Sequence, residues 1–128
     1  KLDEYPTIGS GNLKKEVITQ NGESTTYDSE NDDDTENIAA VAGGLGVVSL
    51  DKVADYSVED EHLSEYGLDE KSRITVEATY TAKKKEKVLT LYIGKEDGSG
   101  NRYVMLNDSR IVYLISTEIC NNILNVED

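Results

Sequence analysis

The 128-residue sequence is poor in bulky aromatic side chains and in reactive ones. It contains no tryptophan and no phenylalanine, so its eight aromatic residues are all tyrosines, and it has one cysteine, one histidine and one proline. A single cysteine excludes an internal disulfide and any zinc site that needs several thiolates. The core must therefore be built from Val, Ile, Leu and the ring bodies of tyrosine, whose hydroxyls usually reach water or a partner.

Basic side chains are also scarce. The formal net charge is −13, with 4 basic and 15 acidic side chains in residues 1–64 against 9 and 11 in residues 65–128. This charge disfavours nucleic acid and anionic lipid as direct partners, because both are bound through clustered Lys and Arg. No run of 18 apolar residues is present, so the sequence predicts no membrane-spanning helix. Because the chain starts at Lys1 rather than methionine, we expect it to be a piece of a longer protein.

The beginning of the chain favours a loose segment followed by a hairpin. Residues 1–12 carry Pro6 and a Gly-Ser-Gly stretch and are predicted to be loose, whereas residues 13–126 are predicted to form a single domain. Asn21-Gly22 lies between two Thr- and Val-containing runs, which is a strong hairpin signal.

Two helices are predicted in the middle of the chain. Ile38, Val41, Ala42 and Leu45 recur at helical spacing, with Asp33 and Glu36 placed as a capping box. The pair Gly43-Gly44 and then Gly46 weaken this helix, which is predicted to fray before Val47.

The second helix is short and ends at a glycine. Ser57 is the predicted N-cap, and Gly67 is predicted to end the helix in the left-handed conformation. That assignment places Leu63 and Leu68 at the two positions that touch in a Schellman motif.

The second half of the chain shows four strand signals and a last helix. Ile74, Val76, Ala78 and Tyr80 alternate with polar residues, and Leu89, Leu91 and Ile93 line one side of the next strand, which Gly94 is predicted to end. The turn between these strands is lysine-rich, and Ser116 or Thr117 is the predicted cap of the final helix. Short links require antiparallel pairing. The predicted class is α+β, an antiparallel β-meander of four or more strands with two or three short helices on one face.

The order of these motifs resembles a bacterial family known as domain of unknown function 4340, over roughly residues 34–124. The resemblance is carried by the following residues: Tyr66, Gly67, Leu68, Asp69, Ile93, Gly94, Tyr103, Val104, Val112 and Tyr113. It implies an exported, membrane-anchored or lipoprotein-type protein, in some members associated with a gliding-type transporter system. It implies no reaction.

Two polar segments could hold calcium. The first offers Asp28, Glu30, Asp32, Asp34 and Glu36 at alternate positions, but Asp33 and Ala39 occupy the positions where an EF-hand loop has glycine and a bidentate glutamate. The second, in the 94–102 loop, alternates Asp97, Ser99 and Asn101, with Arg102 at the glycine position. Both are interpreted as solvated loops, and no metal or cofactor is predicted.

No catalytic motif stands out in the sequence. His62 is predicted on a polar helix without partners, and Cys120 lies on the apolar stripe of the last helix, where a free cysteine behaves as a small hydrophobe. Lys83, Lys84, Lys85 and Lys87 are interpreted as a solubilising hairpin tip.

We therefore expect a non-enzymatic, extracytoplasmic interaction module of a larger membrane-anchored bacterial protein. A protein partner is expected to contact an exposed tyrosine among Tyr80, Tyr92, Tyr103 and Tyr113, because tyrosine is a good interface anchor. Nucleic acid is not an expected partner, and the membrane is reached only through an anchor outside this chain. The alternative hypothesis is a calcium- or glycan-binding domain that uses residues 28–36 or the 94–102 loop.

Overall fold

Seven strands form one antiparallel sheet in the computed structural model, which describes residues 2–127. The strands are β1 (Leu13–Gln20), β2 (Glu23–Asp28), β3 (Val53–Asp55), β4 (Ile74–Ala82), β5 (Lys85–Glu96), β6 (Asn101–Leu106) and β7 (Val112–Ser116). Their order in the sheet is β2-β1-β4-β5-β6-β7-β3, and each neighbouring pair is antiparallel. The predicted meander is β4 to β7, and the α+β class is confirmed.

Within residues 2–127, two α-helices and two 3₁₀ helices accompany the sheet. The α-helices are α1 (Thr35–Leu45) and α2 (Thr117–Leu124), and the 3₁₀ helices span Asp32–Asp34 and Asp60–Tyr66. Ser116 caps α2 by accepting a hydrogen bond from the Ile119 N–H, as predicted. Within the described residues, no helix is both long and apolar enough to cross a membrane.

Two tight turns set the register of the hairpins. Asn21 and Gly22 have φ values of 54° and 80°, and Lys83 and Lys84 have φ values of 53° and 67°. Positive φ at both central residues is the geometry of a type I′ turn, whose twist matches that of the flanking strands. The β1–β2 hairpin is thus confirmed.

The main core lies between the sheet and the two α-helices. Ile74, Val76 and Ala78 of β4 point to this side together with Leu91 and Ile93 of β5, and all are buried. Val41, Leu45 and Ile123 cover them from α1 and α2. Alternation along the strands puts every second side chain on this face.

A smaller apolar cluster lies on the opposite face of the sheet. Val58, Leu68, Met105 and Val112 are buried there, beneath the 3₁₀ helix Asp60–Tyr66. The two α-helices therefore share one face, and the 3₁₀ helix Asp60–Tyr66 covers part of the other. We call the side opposite α1 and α2 the helix-free face, because neither α-helix covers it, although the 3₁₀ helix lies on part of it.

The residues before β1 are packed against the domain, which corrects the prediction of a loose segment over residues 1–12. Ile8 is buried, the Tyr5 hydroxyl donates to the Leu45 carbonyl at 2.6 Å, and the Tyr113 hydroxyl donates to Asp3 Oδ2 at 2.7 Å. Each contact satisfies a polar group at the rim of the core, which a sequence pattern does not reveal. Lys1, the first residue of that prediction, lies outside the described residues.

Neither predicted helix cap in the middle of the chain is correct. Asp33 does not cap α1, because a 3₁₀ turn precedes that helix and Asn31 Oδ1 accepts from the Asp33 N–H instead. Ser57 does not cap the next helix, which begins at Asp60. Val58 is buried and its N–H donates to the Arg110 carbonyl at 2.9 Å, so the chain turns helical only after it.

Gly94 does not end β5, which continues to Glu96 through an irregular register after Ile93. A Cβ on Gly94 would collide with the Tyr66 carbonyl oxygen and lie 3.0 Å from Leu68 Cγ. The glycine therefore lets the end of the 3₁₀ helix lie directly on the strand.

The adjacent glycines of α1 should respond in opposite ways to alanine. A Cβ on Gly43 would have no neighbouring atom within 4 Å, so Gly43→Ala should stabilise the protein by roughly 0.5–1 kcal/mol through helix propensity. A Cβ on Gly44 would lie 2.8 Å from the Ile123 backbone nitrogen of α2, so Gly44→Ala should destabilise by about 1–3 kcal/mol. Urea unfolding of both variants measures the difference, and equal effects would contradict this helix contact.

Candidate functional site

The turn shared with the resembled family is a complete Schellman motif. The Leu68 N–H donates to the Leu63 carbonyl at 2.9 Å and the Gly67 N–H to the Ser64 carbonyl at 3.1 Å, with φ of 68° at Gly67. Leu68 is fully buried against the half-buried Leu63. The predicted roles of Leu63, Gly67 and Leu68 are confirmed, and all three are structural.

The residues on either side of this glycine are also held in place. The Tyr66 hydroxyl donates to Asp55 Oδ2 at 3.0 Å, and its ring lies 4.8 Å from that of Tyr103. Burial, followed by the hydrogen bond to Asp55, raises the pKa of Tyr66. Asp69 accepts from the Ser72 hydroxyl at 3.1 Å and so closes the next turn. The Tyr66 hydroxyl and the Asp69 carboxylate are therefore already hydrogen-bonded within the domain.

The four sheet tyrosines divide between the two faces. Tyr80 and Tyr113 are buried in the main core, which corrects the hypothesis that they contribute to a contact surface. Their strand positions put them on the same side as the aliphatic core residues. Tyr92 and Tyr103 reach the helix-free face but are half-buried, and the Arg73 guanidinium lies 4.1 Å from the centre of the Tyr92 ring. Neither is an open anchor.

The part of the helix-free face over β2, β1, β4 and the start of β5 is rich in threonine. We call this surface the threonine face and define it by Thr19, Thr26, Thr75, Thr79, Thr81 and Thr90, which the strand register places on one side. Glu77 and Val88 lie among them, and Val88 is 55 % exposed. The surface is rich in hydroxyl groups and uncovered by any described helix.

The carboxylates of residues 28–36 already serve the local backbone. Asp34 Oδ2 accepts from the Asp28 N–H at 3.0 Å, and Asp28 Oδ1 accepts from the Glu30 N–H at 2.9 Å. Among the described residues, no three His, Cys, Asp or Glu side chains are grouped to hold a metal, so the segment's Asp32 and Glu36 are not brought together with these two.

The 94–102 loop is organised by one carboxylate in the same way. Asp97 Oδ1 accepts from the N–H groups of Ser99, at 2.7 Å, and Asn101, at 3.1 Å. These hydrogen bonds lower the pKa of Asp97, and the bond from the Ser99 N–H has the largest effect. The carboxylate forms a turn within a loop that Gly98 and Gly100 allow through positive φ.

The two potentially reactive side chains are far apart in the architecture. His62 is exposed on the 3₁₀ helix of the helix-free face. Cys120 is fully buried on α2 beneath the opposite face, and burial raises the pKa of its thiol to about 11. The sheet separates them, so they cannot act as a thiolate and its base.

A groove lies between the N-terminal segment and the β4–β5 hairpin. It has a volume of about 440 Å³, and its ionisable groups are Glu4, Tyr5, Tyr80 and Lys87. Tyr5 already donates to the Leu45 carbonyl, and burial raises the pKa of its phenol. The groove combines one carboxylate with one amine, which suits weak binding better than proton transfer.

One buried acid was not identified from the sequence. Glu16 of β1 is 0 % exposed, faces the main core between Tyr27 and Ala78, and neither carboxyl oxygen has a hydrogen-bond partner among the described residues. Burial raises its pKa from 4.5 to about 8, so it is protonated at neutral pH. A signal was available, because Glu16 is two residues before Ile18 and so shares its face.

Comparison with protein families gives a match over most of the chain. The family model described as "Domain of unknown function (DUF4340)" matches residues 25–126. Comparisons with curated proteins and with solved structures give no match.

The first prediction from this region concerns the Schellman glycine. Gly67→Ala should destabilise the protein by about 1–3 kcal/mol, because alanine is strained at positive φ and its Cβ would lie 2.7 Å from the Lys95 backbone nitrogen. Gly98→Ala is the matched control, since Gly98 also has positive φ but has nothing within 4 Å. Urea unfolding should show the larger loss at Gly67, and a neutral Gly67→Ala would contradict the motif.

A second prediction concerns pH. The folded state keeps the Glu16 proton up to a pKa of about 8, while the unfolded chain releases it near 4.5. The folded state therefore binds more protons between these values, and stability should fall as pH rises, by up to about 1.4 kcal/mol per pH unit from this group.

Glu16→Gln is the variant that isolates this effect, because the amide does not titrate. Urea unfolding of both proteins at pH 5 and pH 8 should show a steeper loss in the wild type than in the variant. Parallel pH dependences would mean that Glu16 has no raised pKa.

Proposed function

Because the chain belongs to the DUF4340 family, whose description carries no reaction, we propose that it is a non-enzymatic interaction module of a larger protein. The observation that carries this proposal is the separation of His62 from Cys120 by the sheet. Nucleophilic catalysis needs a nucleophile within hydrogen-bonding distance of its base. The carboxylates of Asp28, Asp34 and Asp97 already accept hydrogen bonds from nearby backbone N–H groups.

The exposed surface of the sheet is better suited to binding a partner than to catalysing a reaction. The threonine face offers hydroxyl donors and acceptors on a rigid sheet, and Val88 adds exposed apolar area. Tyr56, which is 70 % exposed, lies close to the edge strand β3. A non-obligate interface is about as apolar as the rest of a protein surface, so a surface of this mixed composition is compatible with one. The partner we propose is a protein.

The cellular setting is proposed from the family resemblance. Resembled members are exported, anchored to the membrane or lipoprotein-like, and some are associated with a transporter system. The proposed location is accordingly extracytoplasmic, with the anchor outside this domain. The net charge of −13 agrees with a domain that does not itself bind anionic lipid.

A calcium- or glycan-binding role is the alternative hypothesis, and no contact favours it over the interaction module. The carboxylates of Asp28, Asp34 and Asp97 accept backbone hydrogen bonds that a cation would have to replace. A cation that bound only the folded state would raise the melting temperature. We expect calcium to leave it unchanged.

Photo-crosslinking in the native host tests the proposed function. A photoreactive residue placed at Thr79 on the threonine face, at Tyr56 or at Thr26 on β2 should give a discrete adduct with one protein from at least one position. Ala40, exposed on α1, is the control position and should give none. Absence of any adduct, or an activity lost on His62→Ala with folding intact, would overturn the proposal.

A further inference from the structure

The two edges of the sheet are unequal. At one edge, β3 has three residues, whereas at the other β2 has six, Glu23–Asp28. The β1–β2 register runs without a shift from Gln20↔Glu23 to Lys15↔Asp28. The β2 edge is therefore long and regular, which is the geometry that accepts a further strand.

The hairpin turn determines which backbone groups of β2 face outward. A two-residue type I′ turn makes Gln20 and Glu23 a hydrogen-bonded pair, and such pairs alternate with non-bonded pairs along an antiparallel ladder. Thr25 and Tyr27 are then bonded to β1. The N–H and C=O groups of Ser24 and Thr26 point away from it.

The hydrogen bond of Asp28 agrees with this alternation of inward and outward residues. Asp28 is the next outward residue, and its N–H donates to Asp34 Oδ2 at 3.0 Å. The chain thus covers one outward N–H with its own carboxylate. No described strand lies beyond β2 to cover those of Ser24 and Thr26.

The middle of β2 lacks the usual protections of an edge strand. Its sequence is Glu-Ser-Thr-Thr-Tyr-Asp, without proline or lysine, and Glu23 to Thr26 are all exposed. The charges at its ends, Glu23 and Asp28, are both negative, and Glu30, Asp32 and Asp33 follow them. An uncharged stretch of open backbone is thus bordered by carboxylates.

We propose that β2 is a docking edge for an extended, lysine- or arginine-bearing segment of a partner protein, which pairs as an eighth strand. This rests on the proposed function and names the surface and partner chemistry for it. Backbone groups of Ser24 and Thr26 would supply affinity, and the bordering carboxylates would select basic residues. Antiparallel pairing with a second copy would bring the acidic start of one β2 strand close to the acidic end of the other, which like charge opposes.

The probe is an amidated seven-residue peptide that alternates lysine with valine, and its control replaces lysine with glutamate. Nuclear magnetic resonance of the intact chain should show slower amide exchange at Ser24 and Thr26 with the lysine peptide only. Added salt should weaken the binding, because the carboxylates are exposed. This measurement needs no variant.

Two substitutions at one position separate backbone from side chain. Thr26→Pro removes an outward N–H and leaves the β1–β2 ladder intact. Peptide affinity should fall by about tenfold, because the peptide loses one backbone hydrogen bond. Thr26→Val retains the N–H, and its affinity should stay within about twofold. Far-ultraviolet circular dichroism checks that both fold.

Three results would overturn the inference: equal binding of the glutamate peptide, protection that maps outside β2, or dimerisation of the chain through β2 in sedimentation. If Thr26→Pro fails to fold, the exchange map of the wild-type chain still decides. Crosslinks to a partner from Thr79 or Tyr56 without one from Thr26 would remove this inference alone. Absence of crosslinks from all three positions would remove the proposed function.

Discussion

The pairing of β4 with β5 determines which side of this protein is core and which is surface. Nine residue pairs run from Ile74↔Ile93 to Ala82↔Lys85, and alternation sends the aliphatic side chains to one face and threonines to the other. A shift by one residue would exchange the two faces. The Lys83-Lys84 turn fixes this register locally, and α1 and α2 can pack only on the aliphatic side.

Features that depend on neighbours in the chain were predictable from the sequence. The Asn21-Gly22 hairpin, the alternating strands and the Schellman stop at Gly67 each need only a few consecutive residues. The cap predicted at Ser57 failed because a distant residue intervenes, since the Arg110 carbonyl accepts from the Val58 N–H before the helix begins. The cap predicted at Asp33 failed for a local reason, since Asn31 caps a 3₁₀ turn that precedes the helix. The Asp3–Tyr113 hydrogen bond joins residues 110 positions apart, and no local pattern announces it.

The candidate surfaces followed the same division. The spacing of apolar residues along the last helix was enough to place Cys120 in the core. Whether a strand tyrosine is buried depends instead on which face of the sheet the helices cover. Tyr113 is therefore core and Tyr92 half-buried, although both alternate with aliphatic neighbours. Polar side chains at turns mostly hydrogen-bond to nearby backbone groups. The strand edges and the open sheet face are therefore the surfaces left for a partner.

The strand order also has a consequence for biosynthesis. β1 and β2 are made before the other strands of the sheet and can form their hairpin at once, but β4, the partner on the other side of β1, begins only at Ile74, some fifty residues after Gln20. During that interval the nascent hairpin has two open edges and Glu16 lies in water as a carboxylate. Docking onto β4 closes one edge, and because Glu16 is buried in the same step, the folding of the domain at neutral pH takes up a proton from the solvent.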